Sequence, residues 1–98
     1  MKIDSYMMSN EEVLRALRMF NDETWDDGKY HLVSVESIWE DGEEIEDFIK
    51  RNNESEIPEE IIKQMYRFVM EFDNNWLVYV SYMDGEVFGI IAFSEWDY

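Results

Sequence analysis

"WLVYVSYMDGEVFGIIAF", residues 76–93, decides the fold. Two runs rich in β-branched and aromatic residues meet at Asp84-Gly85, the two-residue signature of a type I′ hairpin. That turn sets the register: Met83 faces Glu86, Tyr82 faces Val87, Val80 faces Gly89, Val78 faces Ile91 and Trp76 faces Phe93. One face then carries Trp76, Val78, Val80, Val87, Ile91 and Phe93, and the other Leu77, Tyr79, Phe88, Ile90 and Ala92. Both are apolar, whereas a half-buried antiparallel hairpin shows one polar face. Either both faces are covered, or one is an exposed patch awaiting a partner.

The segments before the hairpin supply the cover. In "SNEEVLRALRMF" Ser9 and Glu12 form a capping box, Met8 and Val13 form a hydrophobic staple, and Val13, Leu14, Leu17 and Phe20 share a face. A helix over Asn10–Asn21 follows. After the acidic loop "NDETWDDGK", whose Asp27-Gly28 is a turn signal, "YHLVSVESIW" reads as a strand over Tyr30–Ile38. "WEDGEEIED", residues 39–47, reads either as a hairpin tip at Asp41-Gly42 or as a helix capped by Asp41. The helix, over Glu43–Asn52, is favoured because Ile45, Phe48 and Ile49 follow at helical spacing. Its acids would lie at the positive end of the dipole, and Lys50 and Arg51 at the negative end. After the polar break "NNESEIPEE", Pro58 suits the first position of a helix ending near Asp73, with Ile61, Ile62, Met65, Phe68, Val69 and Phe72 as its apolar stripe. The order is α-β-α-α-β-β, a small single α+β domain over residues 1–98 with helices packed on an antiparallel sheet. "MKIDSYM" is a candidate for an additional short edge strand.

Composition supports a folded core: 98 residues, 46% hydrophobic and 16% aromatic, are well outside disordered composition. The formal charge of −16, from 24 Asp plus Glu against 8 Lys plus Arg, exceeds the magnitude of roughly 2–8 usual for a small domain. Such a charge repels nucleic acid and anionic membranes and attracts basic surfaces. With no cysteine there is no disulfide framework or thiolate metal site, and "MKIDSYMM" has no apolar run of signal or membrane length. The expectation is a soluble cytoplasmic protein.

No catalytic or cofactor pattern emerges. His31 is the single histidine, read as packed among strand aromatics. "DETWDDGKYHLVS" fails as a calcium loop, because aligning Gly28 to the invariant glycine puts Trp25 third and Ser34 last, where a bidentate Glu is needed. There is no glycine-rich phosphate loop. Paired carboxylates carry little specificity among 24 acids, so neither enzyme activity nor a cofactor or metal is expected.

The charge distribution is the functional signal. "WEDGEEIED" holds six acids in nine positions, and residues 36–60 hold eleven acids and two bases. Candidate partner-binding residues are Glu40, Asp41, Glu43, Glu44, Glu46 and Asp47, with Asp26, Asp27, Glu54 and Glu56. Trp25, Tyr30 and Trp39 are possible aromatic anchors within the acidic field. In a helix, Glu43, Glu44, Glu46 and Asp47 would place four charges in about 7.5 Å, or roughly one per 1.9 Å against about one per 1.7 Å in duplex DNA. Carboxylates so held could occupy Lys and Arg sites that normally hold phosphates. This short, Cys-free, acidic α+β chain, with its "WEDGEEIEDF" and "NESEIPEE" stretches, resembles the phage-encoded anti-CRISPR and anti-restriction proteins that imitate DNA. The resemblance implies an inhibitor acting in a host cell on a Cas effector, restriction enzyme or other DNA-binding protein at its DNA channel. It transfers no site residue. Two alternatives are an immunity or antitoxin protein neutralising a basic nuclease, and an acidic adaptor that self-associates as a homodimer through the apolar hairpin face.

Overall fold

The computed structural model describes residues 2–52, 57–71, 75–80 and 89–94. Along the chain lie β1 (Ile3–Tyr6), α1 (Asn10–Asn21), β2 (Tyr30–Ser34), α2 (Val35–Ile38), α3 (Ile45–Asn52), α4 (Glu59–Glu71), β3 (Asn75–Val80) and β4 (Gly89–Ser94). The strands form one antiparallel sheet in the order β1-β4-β3-β2. The α+β class and the edge strand at the N-terminus stand as expected, and one short helix, α2, is added.

The register of β3 on β4 is the one expected from the sequence: Trp76 faces Phe93, Val78 faces Ile91 and Val80 faces Gly89. Asp84-Gly85, with the pairs at 82–83 and 86–87, lies outside the described residues. The two apolar faces serve two cores. Val78, Val80, Ile91 and Phe93 join Tyr30 and Leu32 of β2 and bury Ala16 and Met19 of α1, with Trp76 and Phe20 at the margin. Leu77, Ile90 and Ala92 pack on the opposite side against Phe48 of α3 and Ile61, Ile62, Met65, Phe68 and Val69 of α4. Each such large side chain contributes about 1.5–3 kcal/mol on burial. The hairpin face offered for a homodimer is therefore covered, over its described residues, by the chain's own helices.

Local chemistry explains most boundaries. The Ser9 side chain accepts from the Glu12 N–H while the Glu12 carboxylate accepts from the Ser9 N–H, completing the capping box of α1. Leu14, expected on the packed face, is 54% exposed. The buried stripe passes instead through Val13, Ala16, Leu17 and Phe20, and the small Ala16 permits a close approach to the sheet.

Three boundaries differ from the sequence reading. The strand read over Tyr30–Ile38 ends at Ser34, which pairs with Trp76, one residue from the start of β3. With its neighbour strand running out, the chain turns into α2, and Val35, Ile38 and Trp39 swing together onto the α3–α4 core. Their i, i+3, i+4 spacing is helical. The helix read from Glu43 starts at Ile45, because Gly42 takes a φ of +76° and the Glu43 N–H donates to the Glu40 carbonyl at 3.0 Å. That closes a turn over Glu40–Glu43, and Glu44, whose carbonyl accepts from the Phe48 N–H at 2.9 Å, holds the capping position assigned to Asp41. Pro58 sits just before α4, its carbonyl accepting from Ile61 and Ile62 N–H groups, and α4 is described only to Glu71.

Candidate functional site

The acids divide into those that build the fold and those that face solvent. Asp26 and Asp27 belong to the first group. Asp26 accepts from the Gly28 N–H at 2.7 Å and pairs with His31 Nδ1 at 3.0 Å. The Gly28 N–H, opposed by desolvation and helped by His31, holds its carboxyl below the usual range. Asp27 accepts from the Tyr30 N–H at 2.9 Å and from Arg15 Nη2 at 2.8 Å. Burial pushes its carboxyl up, but the bonds from Arg15, Tyr30 and Lys29 together outweigh burial and hold it low. Both carboxylates organise the entry into β2. His31 stacks on Tyr79 with ring centroids 4.8 Å apart, in line with a packed histidine, and burial raises the Tyr79 phenol.

Glu43 is likewise internal. Its side chain is 6% exposed and takes a two-pronged bond from Arg51, Nε to Oε2 at 2.8 Å and Nη2 to Oε1 at 2.9 Å. Those bonds, against the cost of burial, keep its carboxyl low and the guanidinium high. Arg51 also donates to the Ile38 carbonyl, and Tyr66 Oη donates to the Glu43 carbonyl at 3.2 Å. The turn over 40–43 is thus latched onto α3, α4 and the end of α2. Trp39 packs half-buried against Tyr66 and Phe48, at centroid distances of 5.6 and 6.1 Å. It supports the latch rather than projecting as an anchor.

What projects is a group of five carboxylates. Glu40 is 70% exposed and lies 3.8 Å from Arg51 Nε. Asp41, from the turn, Glu44, at the cap of α3, and Glu46 and Asp47, from the first turn of α3, are exposed. No Lys or Arg among the described residues pairs with these last four, and residues 53–56, 72–74, 81–88 and 95–98 contain neither residue type. The regular helical row of four charges is corrected: only Glu46 and Asp47 follow the helix axis, and Glu43 points inward. Glu54 and Glu56 lie outside the described residues. Among the described residues, no three His, Asp or Glu side chains converge to hold a metal, and no helix is long and apolar enough to cross a membrane.

A second surface feature was legible only in part. Trp25, named for its place in the acidic loop, is 55% exposed and stacks obliquely on Trp76 with centroids 5.0 Å apart. Phe20 completes the group at 5.7 Å from Trp76. With Asn21, Glu23 and Leu32 they line an open groove of about 320 Å³. Trp25 and Trp76 are far apart in sequence, and no local pattern joins them. No family model, curated protein or solved structure matches this chain.

Proposed function

We propose that this protein is an acidic inhibitor that binds the basic, nucleic-acid-binding surface of a partner protein through Glu40, Asp41, Glu44, Glu46 and Asp47, in the place of phosphates. The observation that carries the reading is the contrast within residues 40–47: one carboxylate, Glu43, is locked to Arg51, while four have no cation of their own. Solubility requires far less charge, and like charges held close together cost stability. The latch behind them fixes the turn before any partner arrives, which lowers the ordering cost of association. Carboxylates in fixed positions steer a basic partner over distances comparable with the Debye length, about 8 Å at physiological ionic strength.

The test is capture of partners from a host lysate, repeated with competing duplex DNA and with increasing salt. The expected partner binds DNA and is released by both. Asp41→Lys, Glu44→Lys, Glu46→Lys and Asp47→Lys together should abolish capture with the fold retained; Glu43 stays untouched because its loss would loosen the turn. A captured partner indifferent to DNA and to ionic strength would end the proposal.

A further inference from the structure

The chain repeats one arrangement: an arginine lying over an aromatic ring and paired with a carboxylate. Arg15 sits 4.5 Å from the Tyr30 centroid and 2.8 Å from Asp27. Arg51 sits 5.7 Å from the Phe48 centroid and 2.8 Å from Glu43. Arg67 sits 5.2 Å from the Phe68 centroid and 3.1 Å from Asp4. The groove of Phe20, Trp25 and Trp76 is lined by the same two residue types, aromatics and an acid, Glu23, and by no Lys or Arg. The remaining arginine, Arg18, does not line it, and the segments outside the described residues contain no Lys or Arg.

Glu23 is also held where another residue would be easier. The Thr24 N–H donates to the Met19 carbonyl and the Glu23 N–H to the Phe20 carbonyl, a Schellman end to α1 that puts Glu23 in the left-handed region at φ +55°. Glycine suits that position and a long side chain strains it. The strained residue is the one acid that lines the aromatic groove, and no described side chain pairs with it.

We propose that the groove between the end of α1 and β3 is a recognition site for one arginine side chain of a basic partner protein, its guanidinium lying on Trp25 and Trp76 with Glu23 as counter-ion. A planar guanidinium suits it because it stacks on aromatic faces and still donates in plane to a carboxylate. The proposal shares with the preceding section only the premise of a basic partner, and is tested without one.

The experiment titrates the intact protein with a blocked Gly-Arg-Gly peptide and its neutral citrulline counterpart, following the indole N–H resonances of the four tryptophans. A net charge of −16 attracts any cation, so localisation decides. Expected are saturable shifts at Trp25 and Trp76, with the citrulline peptide at least tenfold weaker. Glu23→Gln should weaken binding about five- to tenfold. Glu23→Gly should weaken it equally while raising Tm, a combination that general loss of structure cannot produce. Neutralising Asp41, Glu44, Glu46 and Asp47 should leave the peptide site in place, so this proposal and the preceding one fail separately. Equal binding of the citrulline peptide, affinity unchanged by Trp25→Ala, or affinity raised tenfold on removal of residues 95–98 (which would make them the occupant) overturns it.

Discussion

Replacing Glu43 by Gln tests the division between structural and solvent-facing acids. The change keeps the shape of the side chain and removes its charge. The Glu43 side chain is 6% exposed and its carboxylate takes two bonds from Arg51, whose side chain is 34% exposed. Hydrogen bonds to charged groups contribute about 1.5–3 kcal/mol, and breaking a fully buried pair costs about 3–5 kcal/mol. Because Arg51 can regain some water, the lower range applies, and a loss of about 2 kcal/mol is expected. For a chain of this size that lowers Tm by about 8–16 °C. The acidic limb gives a second readout. The Glu43 carboxyl is depressed in the folded state, so its contribution is present above the unfolded value of about 4.3 and fades as pH falls through the folded value. Wild type and Glu43→Gln should differ at pH 7 and converge on acidification. Urea denaturation across pH measures this, and a double-mutant cycle with Arg51→Met isolates the pair term, expected at about 1–2 kcal/mol. By contrast Glu44→Gln and Asp47→Asn should stay within about 0.5 kcal/mol of wild type. If Glu43→Gln were as mild as these, or its gap to wild type did not narrow in acid, the latch would not hold the turn and the reasoning fails.

Three other perturbations test the frame. Asp27→Asn should cost about 1 kcal/mol at pH 7, with its urea midpoint approaching that of wild type below about pH 4, because the folded carboxyl is held low and its contribution is lost with protonation. Ser9→Ala removes the side-chain half of the capping box, and calorimetry should show a loss of about 1 kcal/mol. Gly89→Ala places a Cβ 2.2 Å from Met8 Sδ and 3.0 Å from the Met7 carbonyl oxygen. It should cost about 1–3 kcal/mol by equilibrium denaturation and be partly relieved by adding Met8→Ala, which removes the sulfur and leaves the carbonyl.

The sequence by itself determined whatever depends on neighbours along the chain. The start of α1 follows from a capping box spanning four residues, and the register of β3 on β4 is the one the Asp84-Gly85 signal predicts. Two-sided apolar strands announced a sheet with either both faces covered or one awaiting a partner. The tertiary structure decided that α1 covers one face and α3 with α4 the other, because cover is a matter of where helices return. It ended β2 at Ser34, since a strand persists only as far as its neighbour offers hydrogen bonds. It also sorted the carboxylates. Composition counts Glu43 and Glu44 alike, but only one meets Arg51; whether a charge is spent internally or left to solvent depends on which cation the fold carries to within a few ångströms.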